Sequence, residues 1–150
     1  MSAVCLLKNF DGTMPRLEVL PDGERTRVLL HTRYWDREDR LVSADVEFSD
    51  VAAVRFSVNY LGSSVGSELF GLYELAGEEE KLRLLKENFD GRRRDFLLTG
   101  YDWQAEDPAD LLNCMDPLER FDPADYHLYQ QQTEGGVYQI LARTWRLKER

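Results

Sequence analysis

The chain has 150 residues, 43% of them hydrophobic and 31% charged, which is enough apolar surface for one folded core and too much for a disordered chain. Acids outnumber bases 28 to 19, a net charge of -9, and this argues against a nucleic-acid partner, since phosphate binding runs on Lys and Arg, and for a basic protein partner. Cys5 and Cys114 fit neither a metal knuckle nor a disulfide framework, and no stretch reaches the length of a membrane span, so a reducing, cytoplasmic setting without a membrane partner is expected, with a single Cys5 to Cys114 bridge left open.

The run Ala3 to Leu7 is too short for a signal-peptide core and lacks a basic leader. The first sixty residues then read as an antiparallel meander. Val28, Leu30, Thr32 and Tyr34 share one face of a strand; Val42, Ala44, Val46 and Phe48 share one face of the next, across a turn from Asp36 to Asp39. A third strand carries Val54, Phe56, Val58 and Tyr60 in alternation with Ala53, Arg55, Ser57 and Asn59, so one of its sides is wet, as antiparallel sheets allow.

Gly62-Ser63-Ser64-Val65-Gly66 matches the G-x-S-x-G nucleophile elbow by letter, after a predicted strand and before helical sequence, and His127 lies downstream. The elbow, however, ends a buried parallel strand, and the strand before Gly62 alternates with polar residues. A Gly/Ser turn is the simpler reading. A serine hydrolase using Ser64, or a cysteine one using Cys114 with His127, is therefore kept only as an alternative. His31 and His127 are the only histidines, each inside a predicted strand, too few for a metal site.

A helix is predicted from about Gly77 to Asn88, with Glu78, Glu79 and Glu80 in its first turn, Lys81, Arg83 and Lys86 later, and Leu82, Leu85 and Phe89 as its buried stripe. Gly91 is its expected stop, Arg92 to Arg94 flank that end, and Phe96-Leu97-Leu98 reads as a short strand before Gly100. From Asp102 to Asp125 eight acids stand against one base, Arg120. Asp-Pro-Ala-Asp occurs there twice, at 107 to 110 and 122 to 125, each suited to a helix start with Asp as N-cap. An EF-hand loop counted from Asp107 would place Ala109 and Leu111 at ligand positions, which rules out that calcium reading. The chain closes with a hairpin, Tyr126 to Gln132 and Val137 to about Leu147, around the turn Thr133 to Gly136.

The expected fold is thus a single α+β domain: a mainly antiparallel β-sheet, meander plus C-terminal hairpin, with one main helix and short helices packed on it. Aromatic residues interleaved with acids have the composition of interface anchors ringed by steering charge. The expected partner-binding residues are accordingly Tyr101, Asp102, Trp103, Glu106, Asp116, Glu119, Phe121, Tyr126 and Tyr129, with no catalytic residue, metal or cofactor assigned.

The N-terminal stretch through Val46-Glu47-Phe48-Ser49-Asp50-Val51-Ala52-Ala53-Val54-Arg55-Phe56, with an F-x-D-V-x-x-V-x-F cadence after a polar hairpin, resembles small bacterial domains of unknown function and the immunity proteins of polymorphic-toxin systems over about a third of the chain. The resemblance implies a small, acidic, non-enzymatic protein that neutralises a basic toxin domain by occlusion. An adaptor or oligomeric subunit that uses an exposed sheet edge is the further alternative.

Overall fold

Apolar and polar residues alternate through most of the chain, and the backbone follows that period of two. The computed structural model describes residues 2–8, 12–58, 67–99 and 122–150. Among the described residues there are seven strands: β1 (Ala3–Leu7), β2 (Thr13–Asp22), β3 (Arg25–Trp35), β4 (Leu41–Val58), β5 (Leu69–Leu75), β6 (His127–Thr133) and β7 (Gly136–Glu149). One long helix, α1 (Glu78–Thr99), lies between β5 and β6. All strands join one sheet in the order β1-β5-β6-β7-β4-β3-β2, and every neighbouring pair is antiparallel. The mainly antiparallel sheet, its C-terminal hairpin and the main helix are as the sequence predicts.

Three finer expectations are corrected. The runs 42–48 and 54–58 are one 18-residue strand rather than two. Asp50 takes a left-handed φ of 55° and the register against β7 shifts between Val51 and Ala53, so an extra residue bends β4 without ending it. Second, the stretch after Ser67 is strand β5, and the helix begins only at Glu78.

Third, the helix does not stop at Gly91, and Phe96-Leu97-Leu98 is its last part rather than a strand. Glycine inside a helix costs only about 1 kcal/mol relative to alanine, which the flanking residues outweigh. Arg92 to Arg94 consequently lie within the helix, and its last turn has no basic residue to meet the dipole. The second Asp-Pro-Ala-Asp does start a short 3-10 turn, Pro123–Asp125, with the Asp122 side chain accepting from the Ala124 N–H at 3.0 Å. The first copy lies outside the described residues.

One face of the sheet holds the larger core cluster, with Val28, Leu30, Val46, Phe48, Leu72 and Ile140 all fully or almost fully buried. Met14 and Leu17 of β2 and Leu6 and Leu7 of β1 belong to the same cluster, although β1 and β2 are opposite edges of the sheet. The sheet is therefore curled until its edges share one interior. Where they approach, the Leu69 N–H donates to the Gly12 carbonyl at 3.0 Å.

The other face carries α1, whose Leu84 and Leu85 pack with Ala53, Leu75, Leu128 and Leu141. Of the expected stripe, Leu85 and Phe89 are buried and Leu82 is half-buried, Leu84 taking the deeper place. The helix also closes an open edge. β3 pairs with β4 only as far as Phe48, and beyond it Asn88 supplies the missing partner among the described residues. Its side-chain oxygen accepts from the Val54 N–H at 3.3 Å and its amide donates to the Val54 carbonyl at 3.0 Å.

Candidate functional site

Residues opposite one another on neighbouring strands share a face. Arg16, His31, Asp45 and Lys148 form one such row across β2, β3, β4 and β7, and Glu18, Leu29, Glu47 and Arg146 form the next. Arg27 and Arg33 extend this face along β3, in alternation with the core residues Val28 and Leu30, and Arg150 closes it through a bond from its N–H to the Ser43 carbonyl. Six bases (Arg16, Arg27, Arg33, Arg146, Lys148, Arg150) thus stand against three acids (Glu18, Asp45, Glu47), a local net of +3 in a chain of -9.

His31 is 8% exposed and bridges two carboxylates: its Nδ1 lies 2.6 Å from Asp45 and its Nε2 3.1 Å from Glu18. Each ring nitrogen thus faces one carboxylate. Arg150 donates from Nε to Asp45 at 2.7 Å and also lies against the His31 ring, while Arg16 pairs with Glu18. Burial, and then the Glu18 carboxylate, push the Asp45 carboxyl up from its ordinary range, against the pull of Lys148 opposite. Glu47, 6% exposed, is held at both oxygens by Arg146, at 3.2 and 3.1 Å, with Arg27 at 3.7 Å. Such a buried carboxylate needs this company.

On this face a pocket of about 260 Å³ is lined by Pro15, Arg16, His31, Thr32, Arg33, Ser43 and Arg150. No carboxylate lines it among the described residues.

Seven of the nine residues expected to bind a partner, Tyr101, Asp102, Trp103, Glu106, Asp116, Glu119 and Phe121, lie outside the described residues, as do Ser64 and Cys114. Tyr126 and Tyr129 are 6% and 3% exposed, which puts both rings in the packing rather than on the surface. The Tyr129 ring packs tilted against Phe48, with centroids 5.2 Å apart, and burial followed by the nearby Glu74 pushes its phenol up to about 12. Arg143 covers the Tyr126 ring at 5.3 Å. His127 pairs with Glu74, and Cys5 is a free, exposed thiol. The strand before Gly62 is β4, antiparallel to both its neighbours, unlike the strand a nucleophile elbow terminates.

Leu97 and Leu98 are 67% and 84% exposed, near the end of α1. A strand over 96–98, as the sequence suggests, does not reveal them as surface. The charged rows do carry a sequence signal, the same alternation that reveals the core: Arg27, His31 and Arg33 alternate with Val28, Leu30 and Thr32. No helix among the described residues is long and apolar enough to cross a membrane. Comparison with protein families, curated proteins and solved structures finds no match.

Proposed function

We propose that the chain is a non-enzymatic protein-binding domain of the immunity type, which covers a basic partner with the acidic segment between residues 102 and 121. The observation that carries this reading is the exposed Leu97-Leu98 pair on the helix that leads directly into that segment. An apolar anchor beside a run of acids is the composition of an interface core next to its steering charge. Tyr126 and Tyr129, being buried, are left out of the contact surface.

The test converts Asp102, Glu106, Asp116 and Glu119 together to their amides, and separately makes Leu97→Ser with Leu98→Ser. If the acids face a partner rather than the core, the melting temperature should change little, and the exposed Leu97 and Leu98 should likewise cost little to replace. The amide variant should slow association with a basic partner and flatten its salt dependence, because steering is long-range. The serine variant should instead speed dissociation. A partner whose association rate ignores both salt and the four amides would refute the acidic surface. A second reading, strand addition by an adaptor, is favoured at β2, an edge strand whose Val19 is 51% exposed.

A further inference from the structure

We propose that the pocket between Arg16, Arg33 and Arg150 binds a small phosphate-type anion, free or as a phosphomonoester, with Arg33 as its direct ligand. The site is independent of the acidic segment and lies on a face whose charge is opposite to that of the chain. Three guanidinium groups border a common pocket, Arg16 and Arg150 each paired with a carboxylate and Arg33 with none among the described residues, and their planar forks match a tetrahedral oxyanion better than any other side chain does.

The carboxylates next to the pocket help rather than compete. Glu18 holds Arg16, and Asp45 holds Arg150 with Nε at 2.7 Å and Nη2 at 2.6 Å, so two of the three guanidiniums are already oriented before any ligand arrives. Less side-chain freedom is then lost on binding. Each guanidinium has five donors, and its carboxylate leaves some of them free. Arg33 has no carboxylate partner among the described residues and stays exposed, so its whole fork is available. His31, fixed between Glu18 and Asp45, and Ser43 also line the pocket.

Size selects the ligand class. A pocket of about 260 Å³ lies below the range of sites that enclose drug-sized molecules, roughly 300 to 1,000 Å³, and equals the liquid share of roughly eight or nine waters. A phosphoryl group with a short organic substituent fits it. A nucleic-acid backbone is a worse match, because it needs a continuous basic track rather than one local cradle.

Calorimetric titration of the whole chain with inorganic phosphate and with glycerol phosphate, in chloride buffer, tests the proposal. Saturable binding of either is expected, with amide shifts confined to residues 15–18, 31–33, 43–45 and 150. Arg33→Ala should weaken it about tenfold or more, the loss of a charge-assisted hydrogen bond, with an unchanged melting temperature. Arg33→Lys should fall between. Should Arg33→Ala alter the melt, Arg16→Ala repeats the measurement. A tighter glycerol phosphate assigns the organic ester as ligand; equal affinities assign the phosphoryl group alone. Absence of heat and shifts with both anions would overturn the site, as would shifts reproduced by sodium chloride at equal ionic strength or an affinity indifferent to the arginine variants.

Discussion

The amide of Asn88 pairs with both main-chain groups of Val54, as a neighbouring strand would, and its Nδ2 also reaches the Leu84 carbonyl at 3.0 Å. One side chain thereby ties the helix to the exposed edge of β4, in place of groups that burial would otherwise leave unpaired. Gln131, fully buried, does similar work at β5, donating to the Gly71 carbonyl at 3.0 Å where the register slips between Leu69 and Gly71. Tyr129 is the residue whose burial has the clearest pH consequence. Its phenol ionises at about 12 in the fold and near 10.0 when exposed, so between those values the unfolded chain has lost a proton that the native one keeps. Stability must then fall as pH rises through that window, by about 2 to 3 kcal/mol at its upper end. Tyr129→Phe should be less sensitive to alkali than the parent. Urea titrations at pH 8 and again above 11 check this, and an equal loss in both proteins would show that Tyr129 is not the group responsible.

At the scale of elements, strands were easier to read than their interruptions. Runs such as Val28-Leu30-Thr32 and Val46-Phe48 alternate because one face is buried, and that pattern is local and visible. The bulge at Asp50 leaves both flanking alternations intact, so two half-strands look like two strands. Asn88 resembles a helix terminus by residue type, while its actual role depends on a strand 34 positions earlier. The pocket was illegible for the same reason, since Arg16, Arg33 and Arg150 come from distant parts of the chain and meet only through register. Gly91 offers a direct test of the helix boundary. A Cβ there would meet only the Arg94 side chain, at 3.8 Å, and the backbone is not left-handed. Gly91→Ala should therefore stabilise the protein by about 0.5 to 1 kcal/mol in a denaturant titration. A glycine that ended the helix in a left-handed turn would make the same substitution destabilising.

For the whole molecule, what matters is that seven strands curl until the two edges of the sheet share one core. Pairing of β2, β3, β4 and the end of β7 assembles the charged face on the outside of this curl, and α1 packs on the same outer face, against β4 to β7. The contact at the seam is narrow: the Gly12 carbonyl accepts from Leu69, and Gly12 itself fits tightly against β3. A Cβ at this position would come within 2.9 Å of the Arg33 carbonyl oxygen and 2.9 Å of the Tyr34 Cβ, and within 3.1 Å of the Leu69 side chain. The first of these neighbours is main chain held in the β3 ladder, with Arg33 in register opposite Ser43, so it has little room to yield. Gly12→Ala should then push the segment before β2 away from β5, at a cost of about 1 to 3 kcal/mol, the usual penalty of overpacking. Two measurements separate this from a general weakening. The urea midpoint should drop, and the Leu69 amide should exchange with solvent faster than amides at the open end of the β6–β7 hairpin, around Leu128 and Leu141, which lies at the far end of β6 from Leu69. An unchanged midpoint with unchanged exchange at Leu69 would mean that the edges are not closed at Gly12, and that the shared core of β1 and β2 is held together without that contact.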